Sequence, residues 1–235
     1  PRRGRRWHEG ALRRAVARAD VLLTAAPETA QALRAAGAAR VEVVAHGADH
    51  LPPADHEGAH DALARAGVTG PYLLAVGTLE PRKNMARLFS AHALARARLP
   101  EPWPLVVVGP NGWGDRVRPV AGVVLLGRVP DAVLAGIYAG ARCLAYVPLL
   151  EGFGLPAVEA MAACTPVVAS PMPSTGGAAL EVDPTDTEAM ADALVTAAGD
   201  DCERRRLVAG GKARAGELTW AAAARRHVAI WRSLR

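Results

Sequence analysis

The chain has 235 residues, and 51% of them are hydrophobic, which is enough to build a large core and excludes disorder as the main state. Lys and Arg number 28 against 23 Asp and Glu, a net charge of +5 that suits phosphate-bearing small molecules as well as nucleic acid. Aromatic residues make up only 4% of the chain, too few for a base-stacking surface, so no nucleic-acid partner is expected.

Two features of the sequence bear on its compartment. No stretch approaches the roughly 20 apolar residues that a membrane span requires, and the N-terminus has no apolar signal region. Cys143, Cys164 and Cys202 are odd in number and form no C-x-x-C pair, which favours reduced thiols. The sequence therefore predicts a cytoplasmic protein.

The first part of the chain predicts one β-α-β unit. An amphipathic helix pattern ends near Asp20 and is followed by a strand at 21–24. A helix over about 27–36 is stopped by Gly37, and a strand follows at 41–44.

A loop containing Gly47, Pro52 and Pro53 then predicts a linker, after which strands and helices alternate again. The predicted strands are 72–77, 105–109, 123–127, 143–147 and 167–169. The predicted helices are 84–98, 131–139, 156–163, 186–198, 202–215 and 220–234. Apolar strands separated by amphipathic helices need cover on both faces, which predicts an α/β fold with a doubly wound, mostly parallel, Rossmann-like sheet.

The loop after strand 72–77 reads Gly77-Thr-Leu-Glu-Pro-Arg-Lys-Asn84 and puts Arg82 and Lys83 directly before a helix. A helix N-terminus carries about half a positive charge, so two cations there are unfavourable unless an anion lies between them. The loop therefore predicts a phosphate site, with a solvated basic turn as the alternative.

A second loop, Glu151-Gly-Phe-Gly-Leu-Pro-Ala-Val-Glu159, follows strand 143–147. The backbone N–H groups of 152–155 can point at an anion, because Pro156 suits the first position of a helix. Glu159 is expected in the first helical turn, where it accepts paired hydrogen bonds from a sugar diol or merely favours the helix dipole. Glu151 is suited to a second sugar, so the two loops together predict a nucleotide-sugar site at the carboxyl edge of the sheet.

Several motifs carry a family resemblance. G-T-L-E-P-R-K-N at 77–84, L-G-x-V-P-D at 126–131, E-G-F-G-L-P-x-x-E at 151–159 and T-P-V-V-A-S at 165–170 resemble the donor-binding domain of the family-4 retaining glycosyltransferases, which have the GT-B fold. The resemblance implies a transferase that moves a hexose from a nucleoside diphosphate sugar with retention of configuration. The motifs resemble those of mannosyltransferases, which points to GDP-mannose, but nucleobase, hexose and acceptor stay open.

The resemblance also implies residue roles. Glu159 matches the residue that binds the ribose hydroxyls, and Glu151 matches the one that contacts the transferred sugar. Lys83 matches the residue that contacts the pyrophosphate, with Arg82 beside it. Glu151, Lys83 and Arg82 are therefore the catalytic candidates. The remaining donor-site candidates are Gly77, Thr78, Arg128, Val129, Gly152, Phe153, Gly154 and Leu155, of which Arg128 and Val129 would line the nucleobase.

The resemblance divides the chain into four parts: 1–50, a remnant of the N-terminal acceptor domain; 51–70, a linker and first helix; 71–217, the nucleotide-sugar domain; and 218–235, a helix returning to the N-terminal domain. The rest of the acceptor domain is expected outside this chain. Any membrane contact would come through that missing domain. The surface that it leaves exposed predicts self-association into a homo-oligomer.

Other classes of function were weighed against this one. His56-Glu57-Gly58-Ala59-His60 matches the H-E-x-x-H signature of zinc peptidases, but the prolines upstream and Gly58 argue against the helix that such a site needs. A dehydrogenase would require G-x-G-x-x-G after a strand, and neither Gly-containing loop has it. No D-x-D run indicates an obligatory divalent ion, so neither metal nor cofactor is expected. A donor-binding module without catalysis stays open beside the transferase.

Overall fold

The structure is a computed structural model that describes residues 2–113 and 120–234, with the backbone alone for residues 2–6. It consists of two compact units. One contains the residues up to Gly47 together with those from Leu218 onward, and the other runs from Ala48 to Glu217.

The helices and strands follow the predicted alternation. The α-helices in the described ranges are α1 (Arg2–Arg18), α2 (Pro27–Ala35), α3 (His56–Arg65), α4 (Met85–Arg96), α5 (Asp131–Gly140), α6 (Leu155–Ala162), α7 (Thr187–Gly199), α8 (Asp201–Glu217) and α9 (Trp220–Arg232). The strands are β1 (Leu22–Thr24), β2 (Val41–Val43), β3 (Leu73–Val76), β4 (Leu105–Val108), β5 (Val123–Gly127), β6 (Cys143–Tyr146), β7 (Val167–Ala169) and β8 (Leu180–Glu181). A 3₁₀ turn at Pro81–Lys83 precedes α4.

The smaller unit contains a two-stranded parallel sheet of β1 and β2. Ala223 and Ile230 of α9 pack with Val44 against this sheet. Gly47 lies so close to α9 that a Cβ atom on it would be 2.1 Å from the backbone nitrogen of Trp220. Glycine is therefore required where the chain leaves this unit.

The larger unit contains a six-stranded sheet in the order β5-β4-β3-β6-β7-β8, and every neighbouring pair is parallel. Helices cover both faces: α4 and α7 lie over the face of Leu73 and Val107, and α3, α5 and α6 lie over the face of Leu74 and Val106. The predicted doubly wound, Rossmann-like α/β fold is confirmed. Strand β8 was not predicted, because two residues are too short to show a period.

Helix α3 lies in the segment 51–70, where a linker and a first helix were expected. Gly58 and the prolines upstream argued against a helix at the H-E-x-x-H run itself, yet α3 begins at His56. Asp55 caps this helix by accepting a hydrogen bond of 2.8 Å from the backbone N–H of Gly58. Burial of Ala59 and Leu63 in the core outweighs the low helix propensity of glycine.

Among the helices in ranges 2–113 and 120–234, none combines the length and the apolar character that a bilayer crossing demands.

A buried histidine lies on the inner face of α4. His92 is fully buried, and its Nε2 lies 3.0 Å from the carbonyl oxygen of Trp103. Burial lowers the pKa of His92; the bond to Trp103 opposes this effect, and the nearby charge of Arg96 adds to it. The ring therefore stays neutral where an exposed histidine would take up a proton.

We expect this histidine to make the fold sensitive to acid. Below the ordinary histidine pKa of about 6.5, His92 binds a proton in the unfolded chain but not in the folded one. The free energy of unfolding therefore falls as the pH is lowered. Urea denaturation at pH 7.5 and 5.5 should show a smaller loss of stability for His92→Gln than for the unchanged chain. His60→Gln supplies the matched control, since it removes an exposed histidine that lies outside the core. An equal loss in all three proteins would contradict the assignment.

Candidate functional site

The candidate site lies where the order of the strands changes direction. From β3 the chain proceeds outward through β4 and β5 on one side, and later returns to β6 on the other side. The loops after β3 and β6 therefore diverge at the carboxyl edge and leave a crevice, the usual ligand position in open α/β sheets. The backbone N–H of Leu149 donates 2.8 Å to the carbonyl of Arg82 and joins the two loops.

The loop after β3 packs directly against the loop after β4. Gly77 has φ 148° and Gly109 has φ 150°, and a Cβ atom on Gly109 would lie 2.1 Å from the carbonyl oxygen of Gly77. Glycine is therefore required at 109 for the two backbones to touch, whereas at 77 it is favoured by the positive φ. Thr78, a predicted site residue, is half-buried in this loop. As predicted, Arg82 and Lys83 come directly before α4.

Asn84 holds the loop after β3 through hydrogen bonds of its side chain. It lies in the left-handed region at φ 60°, which asparagine tolerates better than most residues. Its buried side-chain amide donates to the carbonyl oxygens of Val147, at 3.1 Å, and Pro184, at 2.7 Å. Arg87 donates 3.0 Å to the amide oxygen of Asn84. No role had been predicted for Asn84 beyond ending the 77–84 motif and beginning the helix 84–98.

Three side chains form a compact polar triangle in the crevice. Lys83 Nζ donates to Glu151 Oε2 at 2.5 Å and to the hydroxyl of Tyr146 at 2.6 Å. The hydroxyl of Tyr146 donates 2.7 Å to the same Glu151 oxygen. Lys83 is only 9% exposed, so this ion pair is little screened by solvent.

The charges around this triangle balance. Arg82 Nη1 donates to Glu151 Oε2 at 3.2 Å, and Arg82 Nε lies 2.5 Å from Glu80 Oε1. Burial alone would raise the pKa of Glu151, but hydrogen bonds from Lys83 and Tyr146 and the charge of Lys83 hold that pKa below its usual value. Arg82 thus lies between two carboxylates, and Lys83 pairs with one of them.

The second loop differs in part from its prediction. The N–H of Gly152 donates 3.1 Å to Glu151 Oε1, so it is not pointed at an open anion site. Gly154 has φ 91°, and a Cβ atom there would be 2.3 Å from the sulfur of Met172, so this glycine is demanded by the protein's own packing. A Cβ atom on Gly152 would meet open space. Phe153 is buried and Leu155 half-buried.

Glu159 lies deeper in its helix than predicted. Because α6 begins at Leu155, Glu159 falls just beyond the first turn, which removes the helix-dipole explanation. It is only 8% exposed. The hydroxyl of Tyr138 donates 2.8 Å to its Oε2, and His50 Nε2 lies 3.1 Å from its Oε1. Burial and then the charge of Glu159 raise the pKa of Tyr138, which therefore stays a neutral donor.

A cavity of about 410 Å³ opens beside Glu159. Its walls come from the 48–56 segment, α5 and α6, and they are largely alanine. It can hold a group of the size of a nucleoside next to a buried carboxylate.

The remaining predicted residues lie farther along the sheet. Arg128 and Val129 directly follow β5, which is two strands away from β3. Arg128 is exposed, and Val129 is half-buried against the core. The structure thus brings Arg82, Lys83 and Glu151 into contact, and it places Glu159 in a separate group with Tyr138 and His50.

The zinc hypothesis is not supported by geometry. His56 and His60 both lie exposed on α3, and His60 Nδ1 is 3.9 Å from Asp61. Within residues 2–113 and 120–234 no three His, Cys, Asp or Glu side chains gather as a metal site would require.

Sequence reasoning missed Tyr146, Tyr138 and the contact of His50. Tyr146 ends an otherwise apolar strand, where its hydroxyl comes directly before the loop of the site. This polar residue at the end of an apolar strand, directly before a loop of the site, was the sequence signal that could have identified Tyr146. No local pattern could have paired Glu159 with Tyr138 on α5 or with His50.

The profile of the family described as "Glycosyl transferases group 1" matches residues 70–200, more than half of the chain. O-antigen chain mannosyltransferase B of Escherichia coli is 37% identical over 161 residues, covering 63% of this chain and 42% of that protein. A phosphatidyl-myo-inositol mannosyltransferase of Mycobacterium tuberculosis is 34% identical over 172 residues, covering 66% of this chain and 45% of that protein. The chain thus spans less than half the length of these two relatives.

Solved structures share the fold. Anabaena HepE, in complex with UDP and glucose, superposes with a TM-score of 0.77 at 19% identity, covering 97% of this chain and 66% of that one. A sucrose-phosphate synthase from Thermosynechococcus elongatus gives a TM-score of 0.72 at 24% identity, covering 96% and 62% of the two chains. These structures match the Rossmann-like sheet of the GT-B glycosyltransferases. Together with the family profile they show that the chain belongs to the group 1 glycosyl transferases.

Proposed function

We propose that this chain supplies the donor site of a retaining glycosyltransferase that moves a hexose, with mannose the specific candidate, from a nucleoside diphosphate sugar to an acceptor. One observation carries the proposal: two cations and a carboxylate from two different loops meet at the switch point of the sheet. The names of the two mannosyltransferase relatives and the UDP and glucose in HepE support the substrate class.

The diphosphate would replace the carboxylates as the partner of Arg82 and Lys83. Arg82 and Lys83 are now neutralised by Glu151 and Glu80. A diphosphate carries more charge than one carboxylate and presents oxygens to both cations at once, so it competes well for them. The positive end of α4 adds to the same field.

The two glutamates would then bind hydroxyl groups. Once released by Lys83, Glu151 has a carboxylate oxygen available for the hexose. Glu159 accepts from Tyr138 and contacts His50, which uses about half of the roughly four acceptor positions of a carboxylate and leaves room for the two hydroxyls of a ribose. The cavity beside Glu159 has the size for the attached nucleoside.

In the proposed reaction the bond between the anomeric carbon and the phosphate oxygen breaks, and the diphosphate leaves with the electron pair. Arg82 and Lys83 stabilise the negative charge that develops on this leaving group. The acceptor hydroxyl bonds to the anomeric carbon and passes its proton to an oxygen of the departing diphosphate. Because two cations and a helix N-terminus supply the positive field, the proposal assigns no metal ion and no cofactor to this step.

The first expectation concerns metal dependence. Calorimetric titration of GDP, UDP and ADP in EDTA should give saturable binding of at least one nucleotide, because the protein's own cations neutralise the diphosphate. Absence of heat with all three, or binding that returns only with a divalent ion, would refute the metal-free site.

The second expectation concerns Lys83, one of two lysines in the chain. Lys83→Met keeps the aliphatic stem and removes the charge, so diphosphate affinity should fall roughly 10- to 150-fold, equivalent to about 1.5–3 kcal/mol. Lys212→Met changes the other, exposed lysine on α8 in the same way and should bind normally. Equal affinities for both variants would mean that Lys83 serves Glu151 alone.

The third expectation concerns Glu159. Glu159→Gln replaces one acceptor oxygen with a donor, so a ribonucleotide should lose about 1–3 kcal/mol of binding free energy. A 2′,3′-dideoxy nucleotide should have lost the same interaction already, so variant and ligand change should be non-additive. If the two changes instead weaken binding independently, Glu159 does not hold the ribose.

A further inference from the structure

Tyr146 lies at the centre of the candidate site, although neither the motifs nor the proposed reaction gives it a role. Its side chain is 3% exposed, and its hydroxyl is 2.6 Å from Lys83 Nζ and 2.7 Å from Glu151 Oε2. Lys83 Nζ also lies 4.9 Å from the centre of the Tyr146 ring. A core tyrosine that only filled space would not need its hydroxyl between two charges.

The hydroxyl makes both hydrogen bonds in their natural direction. A neutral phenol accepts from the ammonium of Lys83 and donates to the carboxylate of Glu151. Burial, and then the hydrogen bond to Glu151, raise the pKa of Tyr146, so the proton stays on the phenol. The two contacts do not depend on whether Lys83 and Glu151 also touch each other.

Because the two hydrogen bonds of Tyr146 do not require the ion pair, they bear on what happens when a ligand binds. A phosphate that binds Lys83 must displace Glu151 from it, and each side chain would then lose the partner that holds it in place. Immobilising a conformationally free lysine again has one of the largest side-chain entropy costs of any residue type. Neither hydrogen bond of Tyr146 requires the ion pair, so its hydroxyl can hold both side chains during such an exchange.

We propose that Tyr146 is a positioning residue of the donor site, whose hydroxyl keeps Lys83 and Glu151 in place while the terminal phosphate of a nucleoside diphosphate displaces one from the other. The inference rests on the proposed function, since it presumes a diphosphate at Lys83. It assigns Tyr146 no contact with the substrate.

The test compares two tyrosine variants and two ligands. Tyr146→Phe keeps the ring and removes both hydrogen bonds. Tyr72→Phe removes another buried hydroxyl, which donates 2.7 Å to the carbonyl of Ile137 and lies at the opposite, amino end of β3. Each variant is titrated with a nucleoside monophosphate and with the diphosphate of the same base.

Tyr146→Phe should weaken diphosphate binding about 10-fold and leave monophosphate binding within about twofold, because only the second phosphate reaches Lys83. Tyr72→Phe should change neither affinity. A general loss of structure would weaken both ligands alike, so the ratio of the two affinities separates positioning from stability. Equal losses for both ligands, or no loss for either, would overturn the proposal.

A second measurement needs no ligand. The carboxyl carbon of Glu151, labelled with ¹³C and assigned through Glu151→Gln, should titrate at higher pH in Tyr146→Phe, because the carboxylate loses a donor. An unchanged titration would overturn the proposal even if nucleotide affinities behaved as expected. If the unchanged protein binds neither nucleotide, the proposed function fails, while this titration still decides whether Tyr146 holds Glu151.

A third measurement uses the unchanged protein and so does not depend on the folding of a variant. The diphosphate should raise the pH at which Glu151 titrates and the monophosphate should not, since only the former takes Lys83 away from it. A shift of equal size with both ligands would contradict the displacement of Glu151 by the second phosphate.

Discussion

The ion pair between Lys83 and Glu151 is the interaction on which the site depends. It joins a residue that follows β3 to one that follows β6, and these two strands are neighbours only because the chain changes direction between them. In a largely buried position such a pair is costly unless other hydrogen bonds satisfy its remaining atoms. Tyr146, Arg82 and the N–H of Gly152 provide those bonds. The site is thus stable without a ligand and still contains the charges that a ligand would use.

The two glutamates of the second loop have different surroundings, and this difference separates their roles. Glu151 is held by cations, so an anion competes with it directly. Glu159 is held by the hydroxyl of Tyr138 and by His50, near a cavity with apolar walls. The cations around Glu151 therefore suit an anion, and the surroundings of Glu159 suit an uncharged diol. In the proposed function the same residue type would have two tasks because its neighbours differ.

Most of the fold could be predicted from the sequence, because strands buried on both faces appear as continuous apolar runs and the intervening helices show their own period. The loops of the site could be placed for the same reason, since they follow two of those strands. Other features depend on distant contacts. The start of α3 depends on burial of Ala59 and Leu63, the glycine at 154 on Met172, and the partners of Glu159 on α5 and the 48–56 segment. No short window of sequence contains those partners.

The fastening by Asn84 has a consequence for the order of folding. Its side-chain amide donates hydrogen bonds to Val147, which lies 63 positions later in the chain, and to Pro184, which lies 100 positions later. Contacts of such sequence separation form late, because the loop-closure entropy must be overcome before they contribute. During synthesis the ribosome must therefore release everything through Pro184 before the loop of Arg82 and Lys83 acquires its final shape. Binding competence would arise as one of the last events of folding, well after β3 and β4 have paired.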